Sequence, residues 1–462
     1  MTPSDDIDMT SFPDTVLAVG TEGIGVSALC GILLFRGHTV WGSDRSPGPI
    51  SRDLVRQGMR SVDTPADLPR DPVSLVIRSA AVPDTDPFVR HFLERKVPVI
   101  KYGEALGRLS RQFTGIAVAG THGKTTTTAL LAHVLTAAGL DPTVVCGGLM
   151  KPRGRNYRCG RSEWLVFESC EYDRTFLRHF PAHAIVTNIE ADHLDIYRDI
   201  GEIEAAFHDF CARIPGRLVF GGDGGQAARV CDDTPGYQSY GLSDGNRFTV
   251  QPLSTGNGVQ SFRRRDTVTN DITEWTVPLP GDHAALNAAA VSLMAEEAGV
   301  PAQEIRKGLA SFPGVSRRFD ILARTDDLII LDDYAHHPTE IETTIAGIRS
   351  FFPDRYLLVI FQAHQYSRTR LLLNRFLTCF SGADEVILTD IYEQRDSIAD
   401  KEAIDGERFA ALLTQHHRNA RYVPFPELIR ARPPLERAPA VLATFGAGNV
   451  DQAARAYASE RV

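Results

Sequence analysis

Residues 117–128 read AVAGTHGKTTTT. An apolar strand, Ile116–Ala119, runs into the loop Gly120-Thr-His-Gly-Lys-Thr and then into a helix expected over Thr125–Ala138. In that strand–loop–helix setting a glycine motif points to phosphate, because successive backbone N–H groups and a helix N-terminus favour an anion. Lys124 supplies charge for a β/γ-phosphate, and the Thr125 hydroxyl supplies a ligand for Mg²⁺. The pattern G-x-x-x-x-G-K-[ST] wants glycine at 118, where Val118 stands, so this is a shortened G-x-x-G-K-T loop. Kinases, motors, switches and ligases all handle phosphate, and the rest of the chain has to choose among them.

Outward from the loop, both flanks alternate strands with helices. Upstream, strands are expected at Val16–Gly20, Thr39–Asp44, Leu75–Ala81 and Val97–Tyr102, with helices at Ser27–Arg36 and Arg52–Gly58. This spacing predicts a parallel sheet of the Rossmann type. Gly20, Gly23 and Gly25 fall between its first strand and helix, and Asp44 ends the next strand, where a ribose-binding acid often sits. The spacing is G-x-x-G-x-G rather than the dinucleotide fingerprint, and Glu22 stands where it is expected to repel a pyrophosphate.

Downstream, Trp164–Glu168, Ala184–Ile189 and Arg217–Phe220 read as further strands, and Asp282–Ala298 as an alanine-rich helix. The polar, turn-rich stretch from Gly236 to Thr276 reads as a small antiparallel subdomain. FPGVSRRFD (312–320) marks a boundary. Beyond it, Leu328–Asp332, Tyr356–Phe361, Glu385–Thr389 and Val441–Phe445 again alternate with helices. The expected fold is α/β in three domains: a Rossmann-like N-terminal domain (1–110), a P-loop ATPase central domain (111–314) and a Rossmann-like C-terminal domain (315–462).

Composition agrees with such a protein. The 462 residues are 43% hydrophobic and 23% charged, ordinary for a globular chain. A net charge of −9 argues against nucleic acid as the main partner. The seven cysteines are scattered and never form C-x-x-C, a reduced, cytosolic pattern. The acidic start MTPSDDIDMTSFPD predicts neither a signal nor a transit peptide, and its first dozen residues read as disordered. No apolar run reaches the roughly 18 residues of a membrane span. A cytoplasmic protein that uses neither membrane nor nucleic acid is expected.

Two acidic clusters follow apolar strands: ESCEYD (168–173) offers Glu168, Glu171 and Asp173, and IEADHLD (189–195) offers Glu190, Asp192, His193 and Asp195. Parallel strands bring their C-terminal ends to the edge where the phosphate loop lies, and carboxylates there suit Mg²⁺. His283 and Asn287, four apart, share a helix face and are candidates to edge-bind a base. In the third domain, DDYAHHPTEI (332–341) and VIFQAHQYSRTR (359–370) each place histidines, and the second also arginines, after a strand. Arg318 is a reach-over cation. A domain presenting His and Arg in this way suggests a lid that completes the chemistry.

Taken together, AGTHGKTTTT, ESCEYD, IVTNIEADHLD, LPGDHAALNA, GVSRRFD, DDYAHHPTEI, FQAHQYSRTR and FGAGN (445–449) run in one order along nearly the whole chain. In this the chain resembles the Mur ligases, ATP-dependent amide-forming enzymes of peptidoglycan synthesis, and most of all the branch that joins L-alanine to UDP-N-acetylmuramate. The resemblance implies ATP and Mg²⁺ as cofactors, those two small-molecule substrates, and a monomer or weak dimer. It implies nucleotide contacts from Gly120, Thr121, His122, Gly123, Lys124, Thr125, Thr126, His283, Asn287, Arg318 and Asp333, and metal ligands Thr125, Glu168 and His193. For the UDP substrate it implies Gly20, Gly23, Gly25, Asp44 and Ser79; for the reacting groups, Lys124, His193, His336, His364 and Arg368.

Several ligases of the family hold a second metal with a carbamylated lysine, yet no lysine lies between Lys151 and Lys307. The branch's usual G-x-G-G-x-G-M, E-A-D-E-S-D and F-Q-P-H-R-Y are here GTEGIGV, ESCEYD and FQAHQY. Glu22, Tyr172 and Gln365 therefore keep other acceptors open, such as a recycled tripeptide or an unusual amino acid. A nucleotide-binding regulator without catalysis is the remaining alternative.

Overall fold

Parallel strands covered on both faces need apolar residues at nearly every position, and the chain supplies them in short runs such as TVLAV and WLVFE. The computed structural model describes residues 11–68, 73–191, 196–231, 236–256, 258–393 and 396–460. The first ten residues, read as disordered, lie outside them, as do Asp192, His193 and Asp195.

The first sheet holds β1 (Thr15–Val19), β2 (Thr39–Ser43), β3 (Arg60–Ser61), β4 (Leu75–Arg78) and β5 (Val99–Lys101). Their order is β3-β2-β1-β4-β5, parallel throughout. Helices α1 (Ile24–Phe35), α2 (Pro49–Arg56), α3 (Pro87–Glu94) and α4 (Tyr102–Ser110) connect or follow its strands.

The second sheet starts with β6 (Thr114–Ala119), from which the phosphate loop leads into α5 (Lys124–Ala137). A hairpin, β7 (Thr143–Met150) and β8 (Arg155–Arg158), precedes β9 (Trp164–Glu168) and β10 (His183–Val186). Next come α6 (Ile200–Cys211), β11 (Leu218–Gly221), α7 (Gln226–Cys231), β12 (Tyr237–Gly241), β13 (Phe248–Gly256), β14 (Val259–Asp266) and β15 (Ile272–Val277). The ten strands run β15-β14-β13-β12-β11-β10-β6-β9-β7-β8. Strands expected to form a separate antiparallel subdomain thus extend this sheet, and β13 pairs with β12 in parallel. Helices α8 (Asp282–Glu297) and α9 (Ala302–Ala310) follow.

The third sheet comprises β16 (Asp320–Arg324), β17 (Leu328–Asp333), β18 (Tyr356–Phe361), β19 (Glu385–Leu388), β20 (Ala420–Tyr422) and β21 (Ala440–Phe445), with α10 (Pro338–Phe351) and α11 (Tyr366–Leu371) among its connections. Its order is β16-β17-β21-β18-β19-β20, and only the edge strand β16 is antiparallel to its neighbour. Cα proximity divides the chain into two compact units, one of 1–251, 263–275 and 286–312, the other of 252–262, 276–285 and 313–462.

Within the first unit the β7–β8 hairpin docks on α1 and α2. The Tyr157 ring lies where a side chain on Gly31 would be, 2.0 Å from its ideal Cβ, and its hydroxyl donates to Gln57 at 2.7 Å. Arg155 pairs with Asp53 at 2.9 Å. Phe176, fully buried, stacks on Phe210 (5.0 Å, 15°) and meets Phe207 edge-on at 5.0 Å, fixing the segment after β9 to α6. Phe176→Ala is expected to cost roughly 3–5 kcal/mol through lost burial and the cavity it leaves. Urea unfolding should show a lower midpoint, while Val268→Thr at an exposed turn stays within about 0.5 kcal/mol of the parent.

Candidate active site

The loop after β6 lies directly on the end of β10, and two residues of that strand end hold it there. Gly120 sits at φ +128°, and a Cβ on it would fall 2.1 Å from Thr187 Oγ1 and 2.9 Å from the Asn188 carbonyl. Any side chain would therefore push the loop off the strand. Asn188 brackets the next peptides: its carbonyl accepts from the Thr121 N–H at 2.9 Å, its Oδ1 from the His122 N–H at 2.9 Å, and its Nδ2 donates to the His122 carbonyl at 3.1 Å. Thr187 Oγ1 donates to that carbonyl at 2.6 Å. Gly123, at φ +82°, opens α5 and has Asn287 beside it, with Oδ1 3.1 Å from an ideal Cβ. Gly120, Thr121, His122, Gly123, Lys124, Thr125, Thr126 and Asn287 thus form one neighbourhood.

Electrostatics in the loop is settled by carboxylates from β9. Lys124 Nζ donates to the carbonyls of Gly120 and Thr121 and lies 3.0 Å from Glu171, the two side chains being 11% and 4% exposed. Burial disfavours the ammonium, but the carboxylate beside it more than compensates, and the Lys124 pKa is raised. Tyr197 steadies Glu171 by donating to its carbonyl at 2.7 Å. Thr125 Oγ1 donates to Glu168 Oε2 at 2.9 Å, and the Gly147 N–H donates to the same oxygen at 2.8 Å. A hydroxyl and a carboxylate oxygen so placed are a hard donor pair, which fits Mg²⁺. Among the described residues no group of three or more His, Cys, Asp and Glu forms a metal cage.

The glycine turn of the first sheet corrects one expectation. Gly20 (φ +89°) packs with its ideal Cβ 3.0 Å from Ser79 Cβ, and its N–H reaches the Ser43 carbonyl at 2.8 Å, so Gly20, Gly23, Ser79 and Asp44 converge. Glu22, expected to face the nucleotide, turns instead to the N-terminus of α2. Its carboxylate accepts from the N–H groups of Gly48 (2.8 Å), Ile50 (3.2 Å) and Ser51 (2.9 Å). Partial burial pushes its pKa up, yet the hydrogen bonds from Ser51, Gly48 and Ile50 prevail and the value is lowered. The first turn of α1 carries no acidic residue, and Gly23 makes no side-chain cap, so its amides are suited to an anion. Gly25 has a packing role: a Cβ would lie 2.7 Å from the Tyr102 ring.

At the third sheet, Arg317 and Arg318 divide their tasks. Arg317, at φ +63°, donates to the carbonyls of Gly446 and Gly448 and places Nε 3.3 Å from Asp332, locking β16 to the turn after β21. Arg318 lies over the Tyr334 ring at 5.0 Å, with its charge acting on Asp333. Asp333 accepts from the N–H groups of Phe319 (2.6 Å) and Ala335 (2.9 Å), yet burial outweighs these and Arg318, raising its pKa to about 6. Burial likewise raises Asp332 to about 7 despite Arg317 and the Thr444 hydroxyl.

His336 approaches His364 with ring centroids 6.2 Å apart, His364 stacks on Tyr392 at 5.6 Å, and Arg368 Nη1 lies 3.5 Å from His364 Nδ1. These three candidates therefore sit together. Gln365 begins α11 at φ +72°, its N–H donating to the Tyr392 carbonyl at 2.9 Å. His283 is exposed on the first turn of α8, unlike the buried Asn287. Three tethering positions were not among the site residues expected from the sequence: Asn188, Asp396, which accepts from Ser367 N–H and Oγ at 3.0 Å, and Gln362, whose Oε1 accepts from the Asn449 N–H at 2.9 Å. Asn188 and Gln362 carried a signal, each lying in a motif just past a buried strand, IVTNIEADHLD and FQAHQYSRTR; Asp396 carried none.

A glycine-rich strand–loop–helix turn on one mostly parallel sheet and a histidine–arginine edge on another define an α/β protein of the P-loop class. Models of three successive parts of one family match the chain: the Mur ligase family catalytic domain at 15–114, the Mur ligase middle domain at 118–295 and the Mur ligase glutamate ligase domain at 317–448. The chain belongs to the Mur ligase family and has its three-domain α/β fold. It is 39% identical to the UDP-N-acetylmuramate–L-alanine ligase of Anaeromyxobacter sp. over 453 residues, 96% of this chain and 97% of that one. The crystal structure of the UDP-N-acetylmuramate–alanine ligase of Thermotoga maritima superposes with a TM-score of 0.81 at 28% identity, covering 97% and 98% of the two chains. A murein peptide ligase from Psychrobacter arcticus shares the fold, with a TM-score of 0.69 at 20% identity over 97% and 99%.

Asp332 binds its proton more tightly in the folded chain than in the unfolded one. Its contribution to stability is complete below about pH 4 and is lost as pH rises through about 7. Asp332→Asn removes this term, so between pH 5 and 8 the variant should gain on the parent by on the order of 2–4 kcal/mol. Paired urea titrations at the two pH values measure that difference.

Proposed function

We propose that this protein is an ATP-dependent ligase that joins L-alanine to UDP-N-acetylmuramate through an acyl phosphate, releasing ADP and phosphate. The observation that carries the reading is 39% identity over 96% of the chain to a ligase of that name, with the loop Gly120–Thr125 complete. A carboxylate does not condense with an amine in water until its oxygen becomes a good leaving group. In this reading the muramyl carboxylate attacks the γ-phosphorus of ATP and ADP leaves. The alanine amine then attacks the acyl carbon, and the tetrahedral intermediate expels phosphate.

Each domain has a part. Residues 1–110 take the UDP portion at Gly20, Gly23, Gly25, Asp44 and Ser79, with the uncapped start of α1 facing the diphosphate. Residues 111–314 take ATP on the loop, where Lys124 leaves Glu171 for the phosphates. Asn287 and His283 are assigned to the adenine side. In residues 315–462, Arg318, Asp333, His336, His364 and Arg368 are assigned to the reacting groups. Arg368 holds developing negative charge, and His336 or His364 takes the ammonium proton. Thr125, Glu168 and His193, the last outside the described residues, would hold Mg²⁺, which would supply charge neutralisation for the phosphoryl oxygens. ATP as co-substrate and seven cysteines outside any disulfide suit a cytoplasmic setting.

Gln365, in place of the family's arginine, favours a second reading: the same chemistry with another acceptor, for example a tripeptide. Phosphate release from ATP should require UDP-N-acetylmuramate and an amino acid together, with L-alanine far ahead of glycine, serine and the tripeptide. Faster turnover of the tripeptide establishes the second reading. ATP binding without positional isotope exchange in the presence of the muramyl substrate establishes the non-catalytic alternative. Asn188→Ala, which frees the His122 peptide, should raise the KM for ATP about tenfold and lower the thermal midpoint modestly, the scale of one or two lost hydrogen bonds. An unchanged KM removes Asn188 from this role.

A further inference from the structure

One pair of nucleophilic side chains has no part in the ligation chemistry. Cys211 ends α6 and Cys231 ends α7, two helices in contact with each other. Their side chains are buried, at 1% and 0% exposure, and their sulfurs lie 3.4 Å apart. Four of the other five thiols make different contacts. Those of Cys146, Cys159 and Cys379 donate to the backbone oxygens of Thr125 (3.6 Å), Gly31 (3.7 Å) and Phe376 (3.4 Å), and that of Cys170 accepts from the Tyr172 N–H at 3.5 Å. A disulfide needs sulfurs about 2.05 Å apart, so the 211–231 pair has only about 1.4 Å to close.

We propose that Cys211 and Cys231 are an oxidisable dithiol, a modification site at which a peroxide forms an intramolecular disulfide. One thiol attacks a peroxide oxygen, becoming a sulfenic acid and releasing water. The second thiol attacks that sulfur, the S–S bond forms, and the S–OH oxygen leaves as a second water. Two thiols and one hydrogen peroxide thus give one disulfide and two waters, with two electrons passing from sulfur to oxygen. A peroxide suits this site because the first attack happens between packed helices, where a bulky disulfide reagent has no room. The neighbouring sulfur then captures the sulfenic acid before further oxidation.

The cross-link closes a loop of 20 residues, which removes freedom from the unfolded chain. It also sits where α6 supports the acidic segment: Phe210, adjacent to Cys211, stacks on Phe176, and Tyr237 donates to the Cys211 carbonyl. The disulfide therefore pins the scaffold behind Glu171 and leaves residues 120–125 unaltered. This inference is independent of the substrate assignment.

Stepwise addition of hydrogen peroxide to the folded full-length protein, alkylation of remaining thiols and non-reducing peptide mass spectrometry test it. The expected product is a Cys211–Cys231 linked peptide, lighter by two hydrogens, formed before other cysteines are lost and reversed by dithiothreitol. The urea midpoint of the oxidised protein should rise, and Cys211→Ser or Cys231→Ser should abolish both the link and the rise. Three results would overturn the proposal: both cysteines recovered alkylated while other thiols are oxidised, each cysteine stopping separately at sulfinic acid, or linkage only once urea has unfolded the chain. The parent protein alone decides among these if a serine variant does not fold.

Discussion

The arrangement depends on how closely the loop at Gly120 lies against the end of β10. Backbone meets backbone there, with no room for a Cβ, and Asn188 pairs with the His122 peptide as a neighbouring strand would. That contact points the loop's amides toward the strand-end edge rather than into solvent. It also places Lys124 and Thr125 at the ends of β9, where Glu171 and Glu168 meet them. The first turn of α5 and the two acids are thus positioned by one close approach between adjacent parallel strands. Without it, the lysine and the hydroxyl are ordinary residues on a helix.

A second theme is the use of the chain's own carboxylates at positions that attract anions. Glu22 fills the N-terminus of α2, Glu171 compensates Lys124, and Asp333 collects two amides beside Arg318. Each arrangement satisfies polar groups that burial otherwise makes costly. They differ in what remains for a ligand. Glu22 ties two loops of the first sheet together, while the start of α1 carries no acidic residue and no side-chain cap. Glu171 instead holds the ammonium that the proposed reading assigns to phosphate. The acidic residue that looked most hostile to a nucleotide is therefore a structural cap.

Legibility in the sequence followed the range of the forces involved. Trp164–Glu168 and Tyr356–Phe361 were readable to the residue, because strands covered on both faces are continuous apolar runs bounded by polar ones. The β7–β8 hairpin was not among the strands expected from the sequence, where glycines and a proline interrupt any apolar run. Its strands persist through contacts with α1 and α2, a hundred residues or more away. The edge beyond β11 was read as a separate subdomain because its polar composition hides the parallel pairing of β12 with β13.

By itself the sequence determined the alternation of strands and helices, the phosphate loop and the acids and histidines at strand ends, since each is written in a few consecutive residues by side-chain period and backbone sterics. Tertiary structure decided which charge answers which. It turned Glu22 from the nucleotide to α2, made Arg317 a lock and left Arg318 beside Asp333, recruited Asn188, and brought Cys211 and Cys231 together. The physical reason is that these pairings depend on distances across the packed sheets, and no local pattern encodes them.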